Sequence, residues 1–456
     1  MPIKNNIYQC TINHYETIIF FLIVICFSGC IPHKVAKQSS GFRSTVSKYS
    51  FGEKTRNGYT QVLASTNYTT EKGFGFDLGT KVNTTADFVS SNKPFYFSVK
   101  LPEGNYNVKI TLGDKDGTSD AAIRAECRRM MANRIQTANG EIKTVEFTLH
   151  IRDSMIRNPN GITRVKLKPR EHGYLHWDDK LTLEFNGKQP KIQTIEISPA
   201  GNVITIFLAG NSTEVDQAEE PYTAWGQMIP SFFKSGKIAV ANYAESGESL
   251  SSFIGERRFE KELSLMKPGD YAFVQFGHND QKQKGPGVGA FTTYKKDLKY
   301  FITEVKKKGA IPVLVTSMMR RTFDSSGKIM QTLGDYPEAV RQTAKEKDVA
   351  LIDLNAMSKT MYEAWGPQES IKAFVHFAAN AYPGRTQDVK DDTHFSPFGA
   401  YEIARIMTKG IKENVPALAK YFKSDVQDFD PAKPDNFSSF YWPYSPSSSA
   451  VKPDGN

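Results

Sequence analysis

Polar and apolar positions follow two different rhythms along this chain, and the change falls near residue 200. Upstream, they alternate one by one. Phe95-Tyr96-Phe97-Ser98-Val99-Lys100-Leu101 and Tyr106-Asn107-Val108-Lys109-Ile110-Thr111-Leu112 flank Pro102-Glu103-Gly104-Asn105, a pattern that predicts a hairpin with one apolar face. Val145 to Ile151, Val165 to Leu167, Leu181 to Phe185 and Ile192 to Ile197 continue the alternation. Strands of this kind bury their apolar faces by stacking sheets, so residues 49–199 are expected to form an all-β sandwich. Downstream, the apolar runs are continuous: Val203 to Ala209, Lys237 to Tyr243, Tyr271 to Phe276, Pro312 to Thr316 and Ala350 to Leu354. Phe253 to Leu265, Tyr294 to Lys308 and Ala400 to Lys412 show apolar spacings of three and four. Strands buried on both faces and alternating with amphipathic helices predict a parallel, doubly wound, flavodoxin-like α/β domain over residues 200–424. The tail 425–456 is rich in Pro and Ser, and its aromatic residues Phe437, Phe440, Tyr441, Trp442 and Tyr444 are expected to pin it along the body.

In a parallel sheet the carboxyl ends of the strands line the ligand crevice. Here the apolar runs end in polar blocks: Gly210-Asn211-Ser212-Thr213, Ala244-Glu245-Ser246-Gly247 and Gly277-His278-Asn279-Asp280. A fourth block, Asp391-Asp392-Thr393-His394, brings a carboxylate and an imidazole onto one short segment. These residue types suit acyl transfer. A serine hydroxyl needs a base, the base needs a carboxylate, and the tetrahedral oxyanion needs amide donors. Gly247 lets a loop backbone approach closely, and Asn279 carries an amide. Taken singly, each block has an ordinary reading as a turn, a loop glycine or a helix cap. The four in order on successive strand ends point to an enzyme.

The four blocks resemble those of the SGNH hydrolases. Phe207-Leu208-Ala209-Gly210-Asn211-Ser212-Thr213, Trp225-Gly226-Gln227-Met228 and Asp392-Thr393-His394-Phe395 are similar to the rhamnogalacturonan acetylesterase family, carbohydrate esterase family 12, over roughly residues 200 to 422. The resemblance implies Ser212 as nucleophile, His394 as base and Asp391 as the orienting carboxylate. It also implies an oxyanion hole made of the Ser212 and Gly247 N–H groups and the Asn279 amide. Relatives often carry a galactose-binding-like jelly roll ahead of this domain, which the alternating half of the chain allows. The common pattern has Asp where this chain has Asn211, which bears on the stability of the loop more than on catalysis. His278 is expected to be structural and Trp225 to lie in the core.

Other chemistries lack their motifs. There is no Gly-x-Ser-x-Gly, no His-Glu-x-x-His and no phosphate-binding glycine loop, so neither cofactor nor metal is expected. The net charge of +9 suits attraction to an acidic polymer better than nucleic acid, for which no motif is present. Arg320 and Arg321 follow the fourth strand and either reach the crevice, where a uronate carboxylate would meet them, or form a surface pair. Tyr174, His176 and Trp177 either bind glycan or pack, and packing is the expected use.

The N-terminus reads as a targeting segment. Ile18 to Phe27 is apolar but too short to span a bilayer, and Phe27-Ser28-Gly29-Cys30 resembles a lipobox. Residues 1–29 are therefore expected to be a lipoprotein signal peptide and 30–48 a linker, with a lipidated Cys30 anchoring an exported cell-envelope protein in the membrane. A plain secretory signal is the alternative. Cys10 and Cys26 leave with the signal, so Cys127 is the one thiol left in the mature body. It is expected to be a buried apolar residue, although Arg128 and Arg129 leave room for a reactive thiol.

The sequence reads best as an esterase acting on an acetylated polysaccharide, foremost rhamnogalacturonan. An acetylxylan deacetylase, a lipase or thioesterase on the same fold, and an inactive glycan-binding lipoprotein are the rival readings. The anchor is directly testable. The exported protein should partition into detergent phase, since more than one acyl chain holds stably, and Cys30→Ser should become soluble. A wild-type protein found wholly in the aqueous phase would leave the plain secretory signal.

Overall fold

Alternating strands Ile142–Ile151, Gly104–Gly113 and Lys191–Pro199 lie side by side in that order in one sheet of the computed structural model, which describes residues 46–159, 161–382 and 386–446. Ser47–Phe51 and Thr60–Val62 extend its edge. A second sheet runs in the order Phe74–Asp77, Phe95–Lys100, Lys180–Gln189, Ser119–Ala125 and Arg129–Thr137. Between the sheets Phe51, Phe95, Phe97, Ile110, Phe185 and Ile195 share one apolar core. The expected signal peptide, Cys10, Cys26, Cys30 and nearly all of the expected linker lie outside the described residues.

Two expectations fail here. Phe95–Lys100 and Gly104–Gly113 belong to different sheets, so residues 101–103 form a crossing and not the turn of a hairpin. Alternation determines which face of a strand is buried but not which strand it pairs with, and both arrangements satisfy it. Val165 to Leu167 is an extended link whose Lys166 N–H donates to the Glu256 carbonyl at 2.9 Å, so its backbone is satisfied outside the sandwich.

The downstream half is a five-stranded parallel sheet. Its strands are β1 (Ile204–Ala209), β2 (Ile238–Asn242), β3 (Tyr271–Val274), β4 (Ile311–Val315) and β5 (Ala350–Ile352), ordered β2-β1-β3-β4-β5. Successive residues of β1 face opposite cores. Ile206 and Leu208 pack with Trp225, Met228, Ile403 and Met407, whereas Phe207 and Ala209 pack with Phe253, Phe301 and Ile302. Two-sided burial is why these runs show no alternation. The expected helix from Phe253 to Leu265 is two helices, Leu250–Gly255 and Arg258–Leu265, because Arg257 adopts a left-handed conformation with φ of 65°. Helices Tyr336–Lys347 and Leu354–Glu369 were not anticipated, nor was the antiparallel pair β6 (Phe374–Phe377) and β7 (Val389–Phe395).

Cations of the sandwich enter the loops at the top of this sheet. Arg129 Nη2 meets Asp216 Oδ2 at 2.5 Å with both side chains buried, and Asn242 Nδ2 holds the other oxygen of Asp216 at 2.9 Å. Arg128 Nη1 lies 3.0 Å from Glu220, and its Nη2 donates to the carbonyls of Gln217, Glu219 and Tyr222. Both arginines are thus engaged by carboxylates, and burial pushes the Cys127 thiol up to about 12, so the reactive-thiol reading fails. His176 is buried, Trp177 Nε1 donates to Glu171 at 3.0 Å, and the Trp177 ring lies against Tyr243, so this aromatic cluster packs. The tail crosses both halves. Phe440 packs on Tyr401, Trp442 stacks under Arg124 and donates to Glu220 at 2.9 Å, and Ser445 donates to Glu184 at 2.9 Å.

Removing one member of a buried ion pair strands the other charge, at a cost of about 3–5 kcal/mol. Arg129→Met should lower the unfolding free energy by that amount in urea denaturation. Arg129→Met/Asp216→Asn should recover most of the loss. Equal stability of the single variant and wild type would remove the pair from its structural role.

Candidate active site

Each predicted site residue stands where the topology sends it. β1 ends at Ala209 and the chain turns at Gly210, where a Cβ would come within 2.5 Å of Glu214 Oε2. That close approach requires glycine. Ser212 follows in the loop. β2 leads to Gly247, whose φ of 84° lies in the left-handed region. β3 leads to Asn279, and β7 carries both Asp391 and His394. The helix Pro397–Asn414 is capped by Ser396, which accepts from the Gly399 N–H, so Asp391 and Asp392 are not its cap.

Ser212, His394 and Asp391 are joined in series. His394 Nε2 lies 2.8 Å from Ser212 Oγ and His394 Nδ1 lies 2.8 Å from Asp391 Oδ2. Asp391 Oδ1 also accepts from the Thr393 and His394 N–H groups at 2.9 and 3.1 Å. Burial pushes the Asp391 carboxyl up, but the interaction with His394 and those two N–H groups outweigh burial and hold it well below the usual carboxylate range. Tyr222 packs edge-on against the His394 ring at 5.7 Å.

Among the described residues, the Ser212 and Gly247 N–H groups donate no hydrogen bond to the protein. One N–H of the Asn279 amide donates to the Glu248 carbonyl at 3.0 Å. Gln217 Nε2 donates to the Ser212 carbonyl at 2.9 Å and lies 3.5 Å from Ser246 Oγ, tying the two loops together. Asp280 binds the N–H groups of Leu250 and Gly277, both at 2.8 Å, and so fixes the Asn279 loop.

Asn211 Oδ1 accepts from the Thr213 N–H at 3.1 Å and the Thr213 hydroxyl at 3.0 Å. An aspartate here would add a second carboxylate beside buried Glu214, whose Oε2 accepts from the Asn211 N–H at 2.8 Å. Sequence reasoning missed Glu214, which also binds Thr213, Trp225 and Gln275 and knits the Ser212 loop to the core. His278 is buried, and burial together with the charges of Arg320 and His394 pushes its imidazole well below the ordinary value, leaving it neutral. Arg321 is bound to Asp392 at 2.8 Å and to Ser370 at 3.0 Å, an ion pair that is neither of the two uses expected for it. Arg320 is half-buried beside the His278 carbonyl and Thr332, and it supports the charge of Asp391. Trp225 lies in the core, as expected. Among the described residues no group of three or more His, Cys, Asp or Glu side chains is placed to hold a metal ion.

A parallel sheet that presents a hydroxyl, an imidazole and a carboxylate in series at its carboxyl edge is the framework of a carboxylic ester hydrolase. Residues 204–400 match the GDSL-like lipase/acylhydrolase family, and residues 47–156 match the galactose-binding-like domain of the beta-agarase/YXIM esterase-like group. The chain is 44% identical over 212 residues, covering 46% of itself and 90% of the relative, to rhamnogalacturonan acetylesterase RhgT of Bacillus subtilis (strain 168). It is 27% identical over 411 residues to the uncharacterized esterase YxiM of the same strain, covering 86% of itself and 95% of that protein. The crystal structure of YxiM superposes with a TM-score of 0.44 and 26% identity, over 81% of this chain and 98% of that one. The chain belongs to the GDSL-like lipase/acylhydrolase family, the SGNH esterases, and carries a galactose-binding-like domain ahead of the hydrolase domain.

The buried carboxyl of Glu214 gives a pH signature. Burial pushes it up to about 8, against the hydrogen bonds from Thr213, the Asn211 N–H, Trp225 and Gln275. Such a group stays protonated in the native state while the unfolded chain ionises near 4.5. Its contribution to stability is full below 4.5 and is lost as pH rises through about 8. Urea midpoints should therefore fall between about pH 5 and about pH 9. Glu214→Gln should make that slope shallower, the remainder coming from other buried carboxyls such as Glu126, which burial also pushes up to about 8; identical slopes in the two proteins would exclude Glu214 as a source.

Proposed function

We propose that the chain is an exported serine esterase that removes acetyl groups from a pectic polysaccharide, rhamnogalacturonan, using Ser212, His394 and Asp391. The observation that carries this reading is the pair of 2.8 Å contacts linking Ser212 Oγ to His394 Nε2 and His394 Nδ1 to Asp391. In the reaction, Ser212 Oγ attacks the acetyl carbonyl carbon as His394 Nε2 takes the hydroxyl proton. The carbonyl π electrons move onto oxygen, and the oxyanion is held by the Ser212 and Gly247 N–H groups and the second N–H of the Asn279 amide. Collapse breaks the bond to the sugar oxygen, which takes the proton from His394 as it leaves. Water then repeats the sequence on the acetyl-serine, releasing acetate and restoring the hydroxyl. Asp391 holds the imidazole tautomer and supports its charged form.

The substrate reading is supported by the 44% identity to a relative named as a rhamnogalacturonan acetylesterase. The net charge of +9 suits a uronate-bearing chain. Lipid anchoring through Cys30 rests on Phe27-Ser28-Gly29-Cys30, and a distant relative, 24% identical over 39% of this chain, is named as a lipoprotein of B. subtilis.

Ser212→Ala should lower acetate release by about 10⁴-fold or more with the fold intact. Asp391→Asn should be more damaging than Asp392→Asn, because Asp392 instead binds Arg321 and His376, each at 2.8 Å. A tenth of wild-type activity in Ser212→Ala would dismiss the nucleophile assignment. On a panel of acetylated polymers, faster release from acetylxylan than from rhamnogalacturonan would overturn the pectin reading and leave the esterase.

A further inference from the structure

An excursion between strands of the sandwich, residues 165–179, reaches the site from outside both matched regions, which end at 156 and begin at 204. Lys168 Nζ donates to the Ser246 carbonyl at 2.6 Å, and Arg170 Nη2 donates to the same oxygen at 2.9 Å. That carbonyl belongs to the peptide unit whose N–H is that of Gly247. We propose that Lys168 and Arg170 are positioning residues, which aim and polarise the Ser246–Gly247 peptide as a donor to the oxyanion. The inference rests on Gly247 serving the oxyanion as described under the proposed function.

Three features of the geometry support it. A peptide unit is planar, so pinning its oxygen from two directions also fixes where its N–H points. Charged donors on the carbonyl oxygen draw electron density through the amide and strengthen the N–H as a donor, the cooperative effect known for chains of hydrogen bonds at low dielectric. Finally, the cations are themselves held. Glu248 Oε1 lies 2.5 Å from Lys168 Nζ and Glu245 Oε1 lies 2.6 Å from Arg170 Nη2, and both carboxylates are buried. The segment is in turn anchored by Glu171, which is bound through both oxygens by buried Arg258. Two cations facing two carboxylates across the Ser246 carbonyl leave little freedom for that peptide to rotate. Among the described residues the Gly247 N–H makes no bond that would compete with an oxyanion.

The test is steady-state hydrolysis of an aryl acetate, together with inhibition by an alkyl boronate, which becomes a tetrahedral anion on Ser212. The variants are Lys168→Met and Arg170→Met, and also Lys168→Met/Glu248→Gln and Arg170→Met/Glu245→Gln, in which no buried carboxylate is stranded. Removing an oxyanion donor outright costs about 10²–10³ in turnover, so weakening one donor should lower kcat by about tenfold per cation, with KM nearly unchanged. Boronate affinity should fall by the same factor as kcat/KM. Lys168→Arg and Arg170→Lys, which keep a cation on the carbonyl, should recover most of the loss. Unchanged kcat and boronate affinity in the folded paired variants would overturn the inference, as would a lowered kcat with unchanged boronate affinity. Activity retained in Ser212→Ala would mean instead that the underlying assignment had failed. A dead Ser212→Ala, with boronate affinity lowered by Asn279→Ala but not by the Lys168 and Arg170 variants, would leave the esterase reading standing and defeat this one.

Discussion

A buried guanidinium must meet a carboxylate, and that constraint holds the two halves of this protein to each other. Arg129 and Asp216 are both inaccessible to water, and each charge meets its counter-charge across the boundary between the halves. Their pairing brings the turn after Ser119–Ala125 against the loop that follows Ser212. Arg128 extends the contact by gathering three carbonyls of the same loop, those of Gln217, Glu219 and Tyr222. Tyr222 then lies against His394. A short path of packed groups thus runs from a sandwich strand to the imidazole of the site.

The same arrangement repeats at the loop that follows β2, where Lys168 and Arg170 meet Glu248 and Glu245. In both places the loop contributes acid and the sandwich, or the excursion between its strands, contributes base. The family match to the hydrolase domain covers the acidic partners Asp216, Glu220, Glu245 and Glu248, whereas the basic ones lie outside it. The galactose-binding-like half is therefore built into the walls of the active site, in addition to any role of its own.

Strand runs and strand-end blocks were legible because their signals are local. Continuous apolar runs ending in Gly-Asn-Ser and Gly-His-Asn-Asp mark the sheet and its edge without reference to any other part of the chain. The series from Ser212 to His394 joins residues 182 positions apart, and the resemblance, not periodicity, paired them. The false hairpin at Pro102 shows the limit of alternation, which leaves pairing open. Arg128 and Arg129 drew notice as possible activators of Cys127, since sequence shows a neighbour along the chain more readily than one across a domain boundary. Lys168 and Arg170 carry no motif. Their meaning depends on Ser246, a residue 78 positions away from Lys168.

The tail that ends the described chain also has a bearing on the order in which the molecule is completed. Glu220 sits buried beside Arg128 and receives the indole N–H of Trp442 and the backbone N–H of Ser445. Those donors follow every residue of the Ser212, His394 and Asp391 series along the chain. A nascent chain that has emerged through the helix Pro397–Asn414 already holds every residue of the Ser212, His394 and Asp391 series, yet its Glu220 still lacks two of its hydrogen bonds. Completion of the Ser212 loop is thereby coupled to arrival of residues 442–445, so that a chain truncated ahead of them would be marked by an unfinished clasp next to an otherwise complete series.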